Sequence, residues 1–139
     1  MVTQLTPKAS LYLPRLAELT RVEPLAQKEK VFEFRLSDGK ELGHKPGQFV
    51  EISLFGIGEA PISISSSPTK KGSFELAIRA TGNVTNALHK LDKGATVGIR
   101  GPFGNGFPID KFRNKDVLIV AGGIGLFPLR SLISYIRDN

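Results

Sequence analysis

The sequence predicts a mainly β protein, in which six short strands form a small antiparallel barrel or sandwich and the first βα unit of a second, α/β domain follows. Two observations lead to this fold class. Up to about residue 108, six segments alternate apolar and polar residues at the strand period, with turn residues between them. Near Lys115 the pattern changes to a continuous apolar stretch, a glycine cluster and a helical spacing.

The six predicted strands lie in RLAELTRV, VFEFRL, FVEISL, PISIS, SFELAIR and TVGIR. Asp38-Gly39 follows the second segment, where a hairpin turn is expected. In SFELAIR, Glu75 and Arg79 fall on the polar face, opposite the apolar residues. The apolar faces of the strands predict a core that contains Phe32, Phe34, Leu36, Val50, Ile52, Leu54, Phe74, Leu76, Ile78, Val97 and Ile99.

A short helix is predicted in GNVTNALHKL, between the last two strands, with Thr85 as its N-cap. The exposed N–H groups of its first turn would hold an anion such as a diphosphate. The alternative is an ordinary capped helix without a ligand. His89 near its end is expected to be a surface residue. The cluster GPFGNG follows the sixth strand as a glycine-rich bend.

The last part of the chain reads as strand, glycine turn and helix. DVLIVA is a continuous apolar run, which predicts a strand buried on both faces. GGIG follows it, and LFPLRSLISYIRDN has apolar residues at helical spacing, with Pro128 tolerated in the first turn. One strand and one helix do not complete a doubly wound sheet. We therefore expect residues 1–112 to form the barrel domain and residues 113–139 to begin a truncated second domain; alternatively, this unit packs on the barrel as an appendage.

Composition restricts the classes of protein. The chain has 139 residues, 40% of them hydrophobic, which is enough for one packed core. Its apolar runs are too short to span a bilayer, no secretion signal opens it, and zero cysteines exclude disulfides and iron–sulfur ligation within it. A cytoplasmic location is expected. The net charge of +6 comes from scattered basic residues, so a solvated surface is favoured over nucleic-acid binding.

Two further motifs carry chemistry. In EAPISISSSP, Ser63 and Ser65 alternate with Ile62 and Ile64, so small hydroxyls and aliphatic side chains could line a flat heteroaromatic ring. The alternative is an edge strand with a solvated serine face. In GGIG, glycines lie between a strand and a helix and permit close approach of a dinucleotide's pyrophosphate, although Pro128 replaces the third glycine of the GxGxxG motif.

The order of these motifs is more specific than any one of them. PGQFVEISL, APISISSSP, AIRATGNVT, GIRGPFGNGF and VLIVAGGIGLFPLRSLI together resemble the ferredoxin–NADP reductase superfamily over nearly the whole chain. The sequence is most similar to its electron-transfer subunits: the gamma subunit of sulfhydrogenases, the corresponding subunit of anaerobic sulfite reductase, and the electron-transfer subunit of dihydroorotate dehydrogenase. The resemblance implies a six-stranded Greek-key barrel that binds FAD, followed by an NAD(P)-binding α/β domain.

The resemblance also implies site residues. Ser63 would bond near flavin N5 and is the catalytic candidate, while Ile62 would cover the ring. Ala60 stands where the family often has arginine, so one phosphate-pairing cation is missing. The full set of implied cofactor-binding residues is Ala60, Pro61, Ile62, Ser63, Ile78, Arg79, Gly82, Val84 and Thr85 for the flavin, with Gly122, Gly123 and Gly125 for NAD(P).

The implied function is transfer of electrons from NAD(P)H through FAD to a metal centre of a partner subunit, in a hydrogenase, sulfite reductase or dehydrogenase complex. No protein metal site is expected here, and the iron–sulfur cluster of this branch would lie in a C-terminal region outside this sequence. The fragment alone is expected to be inactive. The alternative function is a non-catalytic interaction or scaffold barrel without tightly bound flavin, which the missing arginine at Ala60 favours.

Overall fold

The structure is a computed structural model that describes residues 10–139. Residues 1–9, which include the start of the predicted barrel domain and the segment where a secretion signal would begin, lie outside the described residues. The six predicted strands are confirmed; they are β1 (Arg15–Pro24), β2 (Glu29–Leu36), β3 (Phe49–Leu54), β4 (Gly58–Ser63), β5 (Phe74–Arg79) and β6 (Thr96–Phe103). Two helices accompany them, α1 (Asn83–Leu88) and α2 (Leu126–Asp138).

All paired strands are antiparallel, and they form one sheet in the order β4-β3-β6-β1-β2-β5. Ile64, just after β4, makes an isolated bridge with Leu76 of β5, so the two ends of the sheet meet and the barrel closes. Strands that are neighbours in space are often distant in sequence, as the predicted Greek-key connection requires. The barrel part of the predicted fold class is therefore confirmed.

The turn at Asp38-Gly39 forms, but it does not connect a hairpin. Gly39 has a φ of +70°, and its N–H donates to the carbonyl of Leu36 at 3.1 Å. However, β2 pairs with β1 and β5, whereas β3 pairs with β4 and β6. The hairpin prediction is wrong because a local turn motif does not determine which strand the chain joins after the turn.

The core lies inside the barrel and contains almost all of the predicted residues. Phe32 and Phe34 are fully buried, and the rings of Phe34 and Phe74 lie 5.9 Å apart. Leu54 is partly buried at the edge of this core. The strand β5 departs from the predicted alternation, since its polar residue Glu75 is only 5% exposed.

The predicted strand DVLIVA does not form among the described residues. Residues 116–121 have no strand partner, and Leu118 and Val120 are 89% and 85% exposed. The prediction of a strand buried on both faces is wrong here, because an extended segment becomes a strand only through the backbone of a neighbour. A short 3₁₀ turn at Gly123–Gly125 then leads into α2, which has Pro128 in its first turn as predicted.

Helix α2 packs on the barrel. Ser131 and Leu132 are buried, although Ile133 and Ile136 on the predicted apolar face remain 40% exposed. Helix α2 is therefore in contact with the barrel, and the division of the chain into residues 1–112 and 113–139 stays a prediction. No helix in residues 10–139 has both the length and the apolar character that crossing a membrane needs.

Candidate functional site

The strand β4 and the helix α1 lie next to each other at one edge of the barrel. Strand β4 pairs with β3 along one side, and its other edge has no strand partner before Ile64. Helix α1 contacts both β4 and β3. The contact is close: a Cβ atom built on Gly58 would lie 3.2 Å from Cγ2 of Val84. The segment Ala60–Ser63 and the segment Gly82–Thr85 therefore belong to one edge of the molecule.

The four residues Ala60–Ser63 differ in what they present. Ile62 is partly buried against the core, Pro61 is exposed, and Ala60 and Ser63 are intermediate. Among the described residues, no protein group forms a hydrogen bond with the Ser63 hydroxyl, so this hydroxyl is available to a ligand.

The serines that follow Ser63 have structural roles. Ser65 is fully buried, and its hydroxyl donates to the carbonyl of Glu75 at 3.0 Å. Ile64 is also fully buried in the core. The predicted lining of a flat ring is therefore wrong for Ser65 and Ile64, and the alternative of a solvated serine face is wrong for Ser65, because the bridge between Ile64 and Leu76 draws this segment into the barrel.

Helix α1 begins earlier than the sequence predicts. Its N-cap is Gly82, in extended conformation, and Thr85 is the third helical residue. The Thr85 hydroxyl accepts hydrogen bonds from the N–H groups of Gly82 at 2.9 Å and Thr81 at 3.0 Å. The assignment of Thr85 as N-cap is wrong, because its side chain reaches back to the turn as in a capping box. Thr85 therefore shapes the loop before the helix.

A basic cleft adjoins the start of α1. It is lined by Lys28, Arg79, Ala80, Thr81 and Asn86. The guanidinium of Arg79 is half exposed and pairs with Glu29, Nε to Oε1, at 2.7 Å, so part of its charge is already neutralised. The structure thus brings Arg79 and the loop at Gly82 to one cleft.

Near this cleft, the structure differs from what the sequence predicts for Ile78 and for His89. Ile78 is 1% exposed within the core, so it presents almost no surface to a ligand. Its carbonyl oxygen lies 2.9 Å from Nε2 of His89, and the His89 ring packs 5.4 Å from that of Phe32. The expectation of a surface position for His89 is wrong, because the end of α1 folds over the barrel and gives this imidazole a structural contact.

The glycine loop Gly122–Gly125 is exposed and lies at the start of α2. The N–H of Gly125 donates to the carbonyl of Gly122 at 3.1 Å. No hydrogen bond in the described part of the chain joins this loop to Ala60–Ser63. The position of this loop relative to the candidate flavin-binding residues therefore depends on how α2 packs on the barrel. Within residues 10–139, no group of three or more His, Cys, Asp or Glu side chains is placed to hold a metal ion.

Comparison with known proteins identifies the family. Residues 16–107 match the oxidoreductase FAD-binding domain, which is more than half of the chain. The chain belongs to the oxidoreductase FAD-binding domain family. The match begins at the second residue of β1 and ends just beyond β6, so the FAD-binding domain coincides with the barrel described above.

The relatives support the resemblance seen in the sequence. Sulfhydrogenase 1 subunit gamma of Pyrococcus furiosus is 46% identical over 136 residues, which cover 96% of this chain and 47% of that protein. A probable dihydroorotate dehydrogenase B (NAD(+)), electron transfer subunit, of Methanothermobacter thermautotrophicus is 35% identical over 123 residues, covering 88% of this chain and 44% of that one. The chain thus spans less than half the length of these curated relatives.

The fold has neighbours among solved structures. Phthalate dioxygenase reductase superposes with a TM-score of 0.76 at 22% identity, over 88% of this chain and 39% of that chain. At this identity the likeness shows the fold alone. The resemblance to reductases of the ferredoxin–NADP type and to their electron-transfer subunits is confirmed.

The residues at the edge of the FAD-binding domain fit a flavin nucleotide in part. The Ser63 hydroxyl, which forms no hydrogen bond with residues 10–139, and the basic cleft beside Gly82 match the polar groups of a ring and a diphosphate. Two observations reduce the positive charge available to the phosphates: Ala60 has no cationic side chain, and Arg79 is paired with Glu29.

Sequence reasoning missed a cluster of charges between the barrel and α2. Glu75 is nearly buried, and its carboxylate contacts Arg21 at 2.8 Å, Lys70 at 2.7 Å and Arg130 at 2.7 Å. Burial by itself raises the pKa of Glu75, but the hydrogen bond from Lys70 and the charge of Arg130 lower it overall. The alternation of SFELAIR suggested a solvated carboxylate, and no signal in the sequence indicated that α2 would cover it.

Glu33 joins the same cluster from β2. Its carboxylate accepts hydrogen bonds from Lys70 at 2.8 Å, Ser73 at 2.6 Å and Arg21 at 2.8 Å. Burial raises the pKa of Glu33, but these donors outweigh it and lower the pKa to about 2. Glu33 therefore stays ionised through almost the whole range in which the protein can be studied.

We expect stability to fall in acid because of Glu33. A carboxyl whose pKa is lower in the folded chain stabilises it above its unfolded pKa, and this contribution is lost as the pH falls through about 2. The contribution is at most about 3 kcal/mol. Urea unfolding at about pH 6 and about pH 3 should show a smaller difference for Glu33→Gln than for the wild type. Glu18→Gln, on the exposed surface of β1, is the control and should keep the wild-type difference.

Proposed function

We propose that this chain is the FAD-binding part of an electron-transfer subunit that passes electrons between NAD(P)H and a metal centre in a partner protein. The observation that carries the proposal is the shared edge of β4 and α1, where the available Ser63 hydroxyl and the loop before α1 lie within the matched domain. The gamma subunit and electron-transfer subunit names of the relatives support the assignment. The partner belongs to a complex of the hydrogenase, sulfite reductase or dehydrogenase type.

Ser63 and Ile62 act on the flavin ring in this proposal. The Ser63 hydroxyl holds the ring near N5, and Ile62 covers one face of it with an aliphatic side chain. Ala60 and Pro61 complete the strand beside the ring without adding charge. When bound, FAD supplies the conversion between two-electron and one-electron transfer. The protein residues orient the ring and adjust the electrostatics around it.

The diphosphate of FAD lies at the start of α1. Backbone N–H groups of Val84 and Thr85 face it, as expected for the first turn of a helix, and Gly82 forms the turn before them, with its own N–H held by the Thr85 hydroxyl. The Thr85 hydroxyl orders this loop by holding the N–H groups of Thr81 and Gly82. The charge of Arg79 contributes from the end of β5, with Glu29 as the competing partner of the guanidinium, and the buried Ile78 beside it acts only through the packing of that strand end.

The nucleotide part of the proposal concerns residues 113–139. We assign residues 1–112 to the FAD-binding domain and residues 113–139 to the start of an NAD(P)-binding domain. Gly122, Gly123 and Gly125 offer backbone N–H groups to the pyrophosphate of NAD(P)H before α2. The iron–sulfur cluster of this branch belongs to a region outside these residues, and the complex acts in the cytoplasm.

A second function is supported by the composition of the phosphate site. With Ala60 in place of a cation and Arg79 paired to Glu29, the domain has less positive charge for a diphosphate. A scaffold barrel that binds no flavin tightly would fit these two observations. Titration of the purified chain with FAD, followed by flavin fluorescence, separates the functions. Saturable binding with a flavin absorption spectrum supports the electron-transfer subunit, and no binding at FAD concentrations far above physiological ones contradicts it.

We expect Thr85→Val to weaken FAD binding. The substitution keeps the shape of the side chain but removes the hydroxyl that holds the N–H groups of Thr81 and Gly82. Loss of such a cap costs about 0.5–2 kcal/mol, which raises the dissociation constant by roughly 2-fold to 30-fold. Thr85→Ser keeps the hydroxyl and should bind like the wild type. If Thr85→Val and Thr85→Ser bind FAD with equal affinity, the loop before α1 does not take part in flavin binding.

A further inference from the structure

Helix α2 is attached to the barrel at three points. The Ser131 hydroxyl donates to the carbonyl of Ser66 at 2.7 Å, Arg130 pairs with Glu75 at 2.7 Å, and the Thr69 hydroxyl donates to Asp138 at 2.6 Å. All three barrel residues lie in or beside the connection between β4 and β5. Ser131 and Leu132 are buried in this contact.

The Ser66 carbonyl has a second donor from the barrel side. Nε2 of His44 lies 2.9 Å from it, and both residues are buried. Because a carbonyl only accepts, Nε2 carries the proton, and burial lowers the pKa of this imidazole, which favours its neutral form. The Ser66 hydroxyl also accepts from the N–H of Glu75 at 2.9 Å. Ser66 is therefore held in place by the barrel alone, whether or not Ser131 binds it.

Glu75 shows the same redundancy. Its carboxylate already contacts Arg21 and Lys70, so the loss of Arg130 would not leave a buried charge without a partner. Arg130 itself is nearly half exposed, and pairs of this kind add little to stability. The barrel thus satisfies both of its buried groups without α2. The contacts of Arg130 and Ser131 contribute orientation to the helix more than stability to the barrel.

We propose that Arg130 and Ser131 are positioning residues that fix the glycine loop Gly122–Gly125 relative to the strand that carries Ser63. Ser131 lies six residues after Gly125, the N-cap of α2, which corresponds to about 9 Å of helix. Ser66 lies three residues after Ser63. The rigid path from the loop to the flavin strand is therefore short and passes through the contact between Ser131 and Ser66. That this contact matters for electron transfer, by placing the glycine loop relative to the flavin strand, rests on the proposed function.

The test uses the 139-residue chain in solution and needs no flavin. Backbone residual dipolar couplings of the wild type should fit one alignment tensor for α2 and the six strands. In the double variant Arg130→Gln/Ser131→Ala, α2 should require a separate tensor. Amide exchange at Leu132, which is buried in this contact, should then rise by roughly tenfold, the change expected for losing about one net hydrogen bond. Amide signals of the strands should stay as in the wild type.

Two matched control variants separate the positioning of α2 from effects of side-chain size and of net charge. Ser131→Thr keeps the hydroxyl and should behave as the wild type. Arg137→Gln makes the same change of charge on α2 at a side chain that is 74% exposed and that pairs, among the described residues, only with the neighbouring Asp138. The proposal is overturned if the double variant keeps one tensor and wild-type exchange, if Ser131→Thr needs a separate tensor as the double variant does, or if the double variant unfolds the barrel. Failure to bind FAD would count against the proposed function and leave this result unaffected.

Discussion

The FAD-loaded 139-residue chain is expected to oxidise NADH at least about 10⁵-fold more slowly than a longer chain that completes the proposed nucleotide-binding domain. Holding two reactants in the right geometry lowers a barrier by about 7–11 kcal/mol, which is roughly 10⁵-fold to 10⁸-fold in rate. In the part proposed to bind the nucleotide, residues 113–139, the structure has one glycine loop and one helix, and the apolar residues 116–121 have no strand partner among residues 10–139. The contacts to adenosine and nicotinamide come from neighbouring strands of such a sheet.

Steady-state NADH–ferricyanide turnover per bound flavin measures this difference. Dithionite reduction of the flavin in both proteins is the control, because it needs no nucleotide site and should be similar. Equal NADH turnover in the two proteins would show that residues 10–139 already contain a working nicotinamide site. In that case the assignment of residues 113–139 to an incomplete domain would be wrong.

The second large effect is expected from the core. Phe34→Ala should lower the free energy of unfolding by about 3–5 kcal/mol, since it removes a buried ring and leaves a cavity. Phe34 is fully buried and lies between the rings of Phe32 at 6.4 Å and Phe74 at 5.9 Å. These residues belong to β2 and β5, so the cavity would weaken the side of the barrel that ends at Arg79. Urea unfolding followed by circular dichroism measures the loss.

Phe55→Ala is the matched control for this substitution. Phe55 follows β3 in a turn and is 60% exposed, so its removal should change stability by no more than about 0.5 kcal/mol. A loss at Phe34 as small as that at Phe55 would mean that the barrel interior repacks around the missing ring. The closed sheet between β4 and β5 would then not depend on this aromatic cluster.

The strands could be predicted because their signal is local. A half-buried strand repeats every two residues, so the alternation in VFEFRL or FVEISL identifies both the element and the side chains that enter the core. The partners of each strand could not be predicted in this way. Asp38-Gly39 has the composition of a hairpin turn, yet the chain passes from it to a strand that pairs elsewhere.

The candidate site could likewise be predicted only in part: its location follows from the sequence, but the roles of its side chains do not. The motif order pointed to β4, to the loop before α1 and to a flavin, and the family match confirms the FAD-binding domain. Side-chain roles within the motifs needed the structure. Ser63 and Ser65 look equivalent in the sequence, but the bridge of Ile64 to Leu76 buries Ser65 and leaves the Ser63 hydroxyl available. Thr85 proved to be the third residue of α1 because its hydroxyl reaches back to Gly82.

The class of the fold, the members of the barrel core and the family could be predicted from the sequence, because alternation and motif order are properties of neighbouring residues. What becomes of DVLIVA and of Glu75 depended on contacts between segments that are distant in the chain. An apolar segment becomes a buried strand only where another strand accepts its hydrogen bonds, and residues 116–121 have none among the described residues. Glu75 has the sequence position of a solvated residue, but α2, more than 50 residues later, covers it and supplies Arg130 as one of its three cations.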